Sequence, residues 1–336
     1  MYLDEYELSI PAVSLKNWHA AVEAASGLMK DVLSVQTTGL ELLGRVKENK
    51  GSTERIGWLN MWAKVFAALQ AVMSAINYQS KLVLLMAQRN SFELMLQAHT
   101  IIDPIRKLSD GPTKTSQPEN AQEYAFRSSV DRLRAYTAWC LWHDKAYFKE
   151  VLNPKSMRDI WDIEPDALSG NAGKASFFTA QFLEKMGTPL DEKVLREGSR
   201  NVRKYYTERI RQIDEWIADP KLAKWSAAVN QASRNNIVGV PFFILFERAD
   251  VSIPKRLLRE GIRFTYSNYI LSSMASHGSS MEEYVQIENN TIKPQLSGDK
   301  EQINILAPEV IVRCRHMFTI LDILDSEMRK KPEIRS

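Results

Sequence analysis

The chain has 336 residues, room for one large domain or two modest ones. Its 14 glycines and 13 prolines make up about 8% of the chain against roughly 12% in average usage, too little turn punctuation for sandwiches, propellers or collagen-like repeats. With 44% hydrophobic and 25% charged residues wholesale disorder is excluded, and a net charge of +3 is too small to make the whole molecule a polyanion binder.

From Leu15 to about Glu48 apolar residues recur at helical spacing, until Gly51-Ser52 breaks the pattern. Thr53-Glu54 starts a second helix carrying Trp58, Trp62, Phe66, Leu69 and Met73 at three- and four-residue steps, which places them on one buried face. A third helix is predicted over 79–108, kinked or ended by Pro104. The stretch 109–120, with two prolines and a glycine, reads as an exposed loop. Helical periodicity resumes over 121–151, where Trp139, Trp142, His143 and Tyr147 give an aromatic surface. Shorter segments follow, punctuated by Pro154, Pro165, Gly170, Gly173 and Pro189, before a long charged helix over 190–218. Another helix begins near Pro254 and runs to His277. Tyr284–Leu306 is strand-like, with Val285, Ile287, Ile292, Ile303 and Ile305 flanking turn residues, and a final helix is expected behind Pro308.

These elements predict a mainly α protein: a bundle of long antiparallel helices with a small β-hairpin near the C-terminus. Residues 1–52 form an N-terminal helical segment and 53–336 a main helical domain, most simply one compact body. The start of the chain is acidic and lacks a signal-peptide pattern, and no apolar run approaches the roughly 20 residues that span a bilayer, so a cytoplasmic protein with no membrane partner is expected.

Several familiar motifs fail. Ser169-Gly170-Asn171-Ala172-Gly173-Lys174-Ala175 lacks the first glycine of a phosphate-binding loop, where Leu168 stands, and the hydroxyl residue after the lysine. The five histidines are dispersed, and there is no H-E-x-x-H, C-x-x-C or G-x-S-x-G. Cys140 and Cys314 read as buried thiols, too few for a disulfide framework. No metal and no cofactor is expected.

Two polar constellations interrupt apolar helices. Arg89 and Glu93 lie four apart, on one helix face, between Leu82, Leu84, Leu85 and Met86 on one side and Leu94 and Met95 on the other. They form either a structural ion pair that fixes packing or one wall of a pocket. Tyr269, Ser273 and His277 stack at i, i+4 and i+8 and run into Gly278-Ser279, a helix C-terminus that favours a protonated histidine. They are either a C-terminal cap or a general base with its neighbours.

R-x3-E within an apolar helix, followed about 180 residues later by Y-x3-S-x3-H-G-S, resembles a bacterial all-helical family known as a domain of unknown function. The resemblance implies that the two helices meet and bring Arg89, Glu93, Tyr269, Ser273 and His277 together. Such helical families are compared with HEPN ribonucleases of toxins and anti-phage systems, which place a histidine four to six residues after an arginine. Here His99, His143 and His316 follow Arg89, Arg134 and Arg313 after nine, eight and two residues, so the analogy is one of architecture only.

A third feature is a basic stripe, Lys193, Arg196, Arg200, Arg203, Lys204 and Arg211, in a segment with seven basic residues and two acids. Contacts of that kind hold phosphates without reading sequence, and they make RNA or DNA a candidate partner. The expected function is a cytoplasmic effector acting on nucleic acid or nucleotides in bacterial defence or toxin biology. In it His277 is the acid/base, Arg89 the anion stabiliser and Glu93 its orienter. The alternatives are a non-catalytic scaffold or sensor that binds a partner protein or a second copy of itself, and a small-molecule binder using the same polar pocket.

Overall fold

The computed structural model describes residues 13–46, 52–109, 121–152, 192–233, 242–246, 285–288, 291–294 and 300–330. The described chain is mainly helical: α1 (Leu15–Ala24), α2 (Gly27–Val46), α3 (Thr53–Tyr78), α4 (Lys81–Ser109), α5 (Ala121–Leu152), α6 (Glu192–Ile217), α7 (Pro220–Ser233) and α8 (Lys300–Lys330). A short 3-10 turn covers Phe242–Leu245. Strands β1 (Val285–Glu288) and β2 (Thr291–Pro294) pair antiparallel, with Ile287 opposite Ile292. The chain divides into two compact units, one of residues 138–239 and one of residues 4–137 with 240–336. α5 contributes to both.

In the larger unit α3 is the central helix. Ser52 caps it by accepting a hydrogen bond from the Arg55 amide, at 3.2 Å. Trp58, Met61, Val65, Leu69 and Val72 are wholly buried along it. Its tryptophans also tie it to its neighbours: Trp58 Nε1 donates to the Leu321 carbonyl of α8 (2.9 Å) and Trp62 Nε1 to the Gly39 carbonyl of α2 (2.8 Å). The pairings Arg55–Asp325, Trp58–Leu321 and Val65–Cys314 run in opposite sequence directions, so α3 and α8 are antiparallel. Gln88–Glu309 and Ser91–Arg313 run in the same direction, so α4 lies parallel to α8.

The start of α3 carries buried charge. Glu54 pairs with Arg134 of α5, and Arg55 meets Asp325 of α8 at 2.8 Å while its guanidinium lies over the Trp58 ring. Arg329 reaches the other Asp325 oxygen, also at 2.8 Å. Gly57 allows α5 to approach, because a Cβ there would strike the Thr137 hydroxyl and the Leu133 carbonyl. At its far end α3 closes on Gln79, whose φ of +51° is left-handed backbone, and the Ser80 hydroxyl then accepts from the Val83 amide to start α4.

Several expected boundaries change. The first predicted helix is two, because the chain is extended at Ala25 and turns left-handed at Gly27, with φ +54°. Ile303 and Ile305 belong to α8 rather than to the strand-like stretch; α8 starts at Lys300 and carries Pro308 inside it. α4 likewise continues through Pro104. The expectation that no segment is apolar enough to span a bilayer is also corrected. α3 is long and apolar enough, with a mean hydropathy of 1.3 over its most apolar stretch; a core helix meets the same criterion, and α3 packs against α2, α4 and α8.

In the smaller unit, α6 leads into α7 through Asp219-Pro220. The buried Asp219 side chain accepts from the Lys221 amide at 2.8 Å, and proline occupies the first helical position. Leu222, Trp225 and Val229 form the buried face of α7.

Candidate functional site

Arg89 and Glu93 do pair along α4, with Nε donating to Oε1 at 3.3 Å. Their side chains are 26% and 35% exposed, so the pair is open to water rather than sealed. Tyr269, Ser273 and His277 lie outside the described residues. Of the basic stripe, Lys193 and Arg196 fall within α6, and Arg200, Arg203, Lys204 and Arg211 are exposed on it. Arg211 is engaged within its own helix: it donates to Glu208 at 2.6 and 2.9 Å and also pairs with Glu215. Its hydrogen bonds hold the Glu208 carboxyl down at about 2.

The smaller unit contains a cleft of about 480 Å³, a volume suited to a small-molecule ligand. One wall is the α5 face bearing Trp142, Lys145 and Lys149, at the i, i+3, i+7 spacing of one helix side. Ile217 of α6 and Ser226 and Asn230 of α7 complete it. Lys145 pairs with Asp214, and Lys149 is exposed at the rim. Edge contacts hold the aromatic wall: the His143 ring lies 4.5 Å from Trp139 and 5.3 Å from Trp142 between centroids. His143 is therefore packed between tryptophans. The cleft places an aromatic side chain beside two ammonium groups and two amide or hydroxyl groups, a combination that suits a flat anionic ligand.

A second polar array joins α4 to α8 in the larger unit. Arg313 is buried; its Nε donates to the Ser91 hydroxyl at 2.9 Å, its Nη1 lies 3.5 Å from Glu309, and its guanidinium stacks 3.9 Å from the Phe92 ring centre. Gln88 donates to the same Glu309 oxygen at 3.0 Å. Burial pushes the Arg313 guanidinium down to about 10, against the pull of Glu309, and burial likewise raises the neighbouring Cys314 thiol to about 12, leaving it inert. Further along the same pair of helices, His99 Nε2 lies 3.0 Å from His316 Nε2, and Arg106 Nη1 lies 3.4 Å from His99 Nδ1. Among the described residues no three His, Cys, Asp or Glu side chains converge as a metal cluster.

No family model, curated protein or solved structure matches the chain. The cleft is only half legible in the sequence: the aromatic surface of α5 is visible there, and α7, which closes the cleft, is marked by the Asp219-Pro220 start and the i, i+3, i+7 spacing of Leu222, Trp225 and Val229, but nothing local says that it packs on α5. The Arg313–Ser91–Glu309 cluster joins residues more than 200 positions apart, and its local trace is the i, i+4 spacing of Glu309 and Arg313.

Proposed function

We propose that the protein is an effector that binds an aromatic base carrying phosphate, supplied by a free nucleotide or by a nucleic-acid strand, through the unit of residues 138–239. The observation that carries this is the cleft with Trp142, Lys145 and Lys149 on one wall. An indole face stacks a base, with an alanine substitution costing about 1–3 kcal/mol per stacked base. The exposed Lys149 supplies charge for phosphate, and Lys145, one helical turn away, adds to it by exchanging its partner Asp214 for the ligand. The exposed Arg200, Arg203 and Lys204 of α6 belong to the same unit and would extend the contact along a strand. The resemblance in the helix motifs is what suggests bacterial defence or toxin biology as the setting, and a cytoplasmic location without a membrane partner suits such a ligand.

Calorimetric titration with ATP and with a short single-stranded RNA tests the proposal. Lys149→Glu and Trp142→Leu should each weaken both ligands about tenfold, with melting temperature preserved. Reversing the charges of Arg200, Arg203 and Lys204 together should weaken RNA and spare ATP if a strand is the ligand, and spare both if a free nucleotide is. Absence of binding by the unaltered chain at millimolar ATP and RNA, or full affinity in the Lys149→Glu protein, would overturn it.

Catalysis is a separate proposal, carried by residues of the larger unit alone and independent of the cleft. Arg89 and Glu93 keep solvent access, which suits an anion stabiliser and its orienter better than a sealed structural pair does. With His277 as acid/base, His277→Ala should abolish turnover of a nucleotide substrate while leaving melting temperature within a degree or two. The scaffold alternative draws on one observation: Ile305, Val312 and Ile323 are exposed at steps of seven and eleven along α8, a single apolar line. It predicts a self-association or partner capture that Val312→Lys removes, and sedimentation of the two proteins decides it.

A further inference from the structure

The two histidines that join α4 to α8 have a geometry that a hydrogen bond alone does not exhaust. Nε2 of His99 and Nε2 of His316 are 3.0 Å apart, with ring planes at 87° and centroids 5.2 Å apart. In the metal-free pair one ring nitrogen must carry a proton and donate it to the lone pair of the other. Two imidazole nitrogens at that separation also match adjacent corners of a metal's coordination sphere. With metal–nitrogen bonds of ~2.0–2.1 Å, the nitrogens subtend roughly 94° at the metal, whereas tetrahedral coordination separates them by about 3.3–3.4 Å. Near-right angles between nitrogen ligands belong to tetragonal Cu²⁺ and Ni²⁺. His316 is exposed and His99 half-buried, so water can fill the remaining positions.

We infer that His99 and His316 form a two-imidazole site for a divalent transition metal of the copper and nickel type, clipping α4 to α8 across the surface of the larger unit. The site is independent of the cleft and of the proposed nucleotide ligand.

The surroundings set both its availability and its weakness. A neutral imidazole offers one nitrogen lone pair to a metal, and the open side of the His316 ring leaves that lone pair within reach of solvent ions. Arg106 works against the cation in two ways. It carries like charge, and by donating to His99 Nδ1 it favours the tautomer that keeps a proton on Nε2. Metal binding requires that proton to move to Nδ1, through solvent, and the Arg106 side chain to turn away. Two protein ligands and an adjacent cation make micromolar affinity the reasonable scale.

The experiment uses the full chain, stripped with a chelator, and titrates Ni²⁺ and Cu²⁺ alone while recording thermal unfolding and, for Cu²⁺, the electron paramagnetic resonance spectrum. One equivalent should bind, the melting temperature should rise by about 3 °C at metal roughly tenfold above Kd, and the copper spectrum should show coupling to two imidazole nitrogens. His316→Asn should abolish the rise and reduce affinity at least tenfold without lowering the metal-free melting temperature by more than a degree or two. His99→Asn should do the same, and Arg106→Gln should tighten binding several-fold. A metal-dependent rise that survives in both asparagine variants, or no rise at 100 µM Ni²⁺, would overturn the assignment.

Discussion

Both units carry charge pairs open to water, but among the described residues the buried pairs belong to the larger one. In the larger unit several buried charges reach between helices: Glu54 meets Arg134, Arg55 meets Asp325, and Arg313, paired with Glu309 of its own helix, donates to Ser91 of α4. In the smaller unit the described pairs are more open to water: Arg211 bridges Glu208 and Glu215 within α6, and Lys145 of α5 pairs with the exposed Asp214 of α6. A buried pair fixes which helices meet and in what register, since a mispaired arrangement would strand a charge away from water. A surface pair stabilises little and leaves the neighbouring cations open to a ligand.

The sharpest way to break that contrast is Asp325→Ala. It leaves Arg55, 4% exposed, facing an emptied pocket, and should cost about 3–5 kcal/mol in chemical denaturation. A loss below about 1 kcal/mol would mean that the buried network does not hold the scaffold together. Gly57→Ala comes next, at roughly 1–3 kcal/mol, because the new methyl meets both a fixed carbonyl and the Thr137 hydroxyl, which itself donates to the Thr53 carbonyl at 2.8 Å. Gln79→Gly should act in the other direction, stabilising by up to about 1 kcal/mol through relief of the left-handed φ. The smallest effect belongs to the surface pair. Glu208→Gln should leave the melting temperature where it is.

Acid titration separates the two kinds of charge in another way. The folded Glu208 pKa, about 2, lies below its ordinary value of 4.5, so whatever stability the pair supplies is complete above pH 4.5 and disappears as pH falls towards 2. A carboxyl carbon resonance with its midpoint near 2 checks this directly. His316 is also depressed, from 6.5, so the unfolded chain takes up its proton first. The larger unit should lose a little stability as pH drops below 6.5, and His316→Asn should remove that dependence.

Much of the scaffold is readable from spacing. Thr53 to Tyr78 shows the i, i+3, i+4 rhythm and a serine cap, and Ala121 to Leu152 is likewise an uninterrupted helical pattern. The errors share a cause: a strong local signal was outvoted by neighbours. Pro308 looks like a helix start, yet Ile303, Ala307, Val310, Ile311 and Cys314 are buried on one stripe that crosses it, and the burial of that stripe against α3 and α4 outweighs the one hydrogen bond that proline forfeits. Ile303 and Ile305, β-branched residues near two real strands, suggested extended chain for the same local reason. Of the site residues, the Arg89–Glu93 pair is legible because it lies within one helix turn. The His99–His316 pair is not, since 217 residues separate its members and no spacing rule connects them.

The ion pair between Arg55 and Asp325 closes a loop of 270 residues, and the whole unit of residues 138–239 lies inside that loop. During synthesis α3 leaves the ribosome with its buried arginine and Trp58 indole still lacking the helix that receives them. At about 5–20 residues per second, the wait for α8 lasts on the order of 10–50 s. α2 and α4 are already present to cover the rest of α3, so what waits for α8 is the face that carries Arg55 and Trp58. The long-range clasp that makes the finished scaffold firm is thus also its last part to close, since it needs nearly the whole chain to have been made.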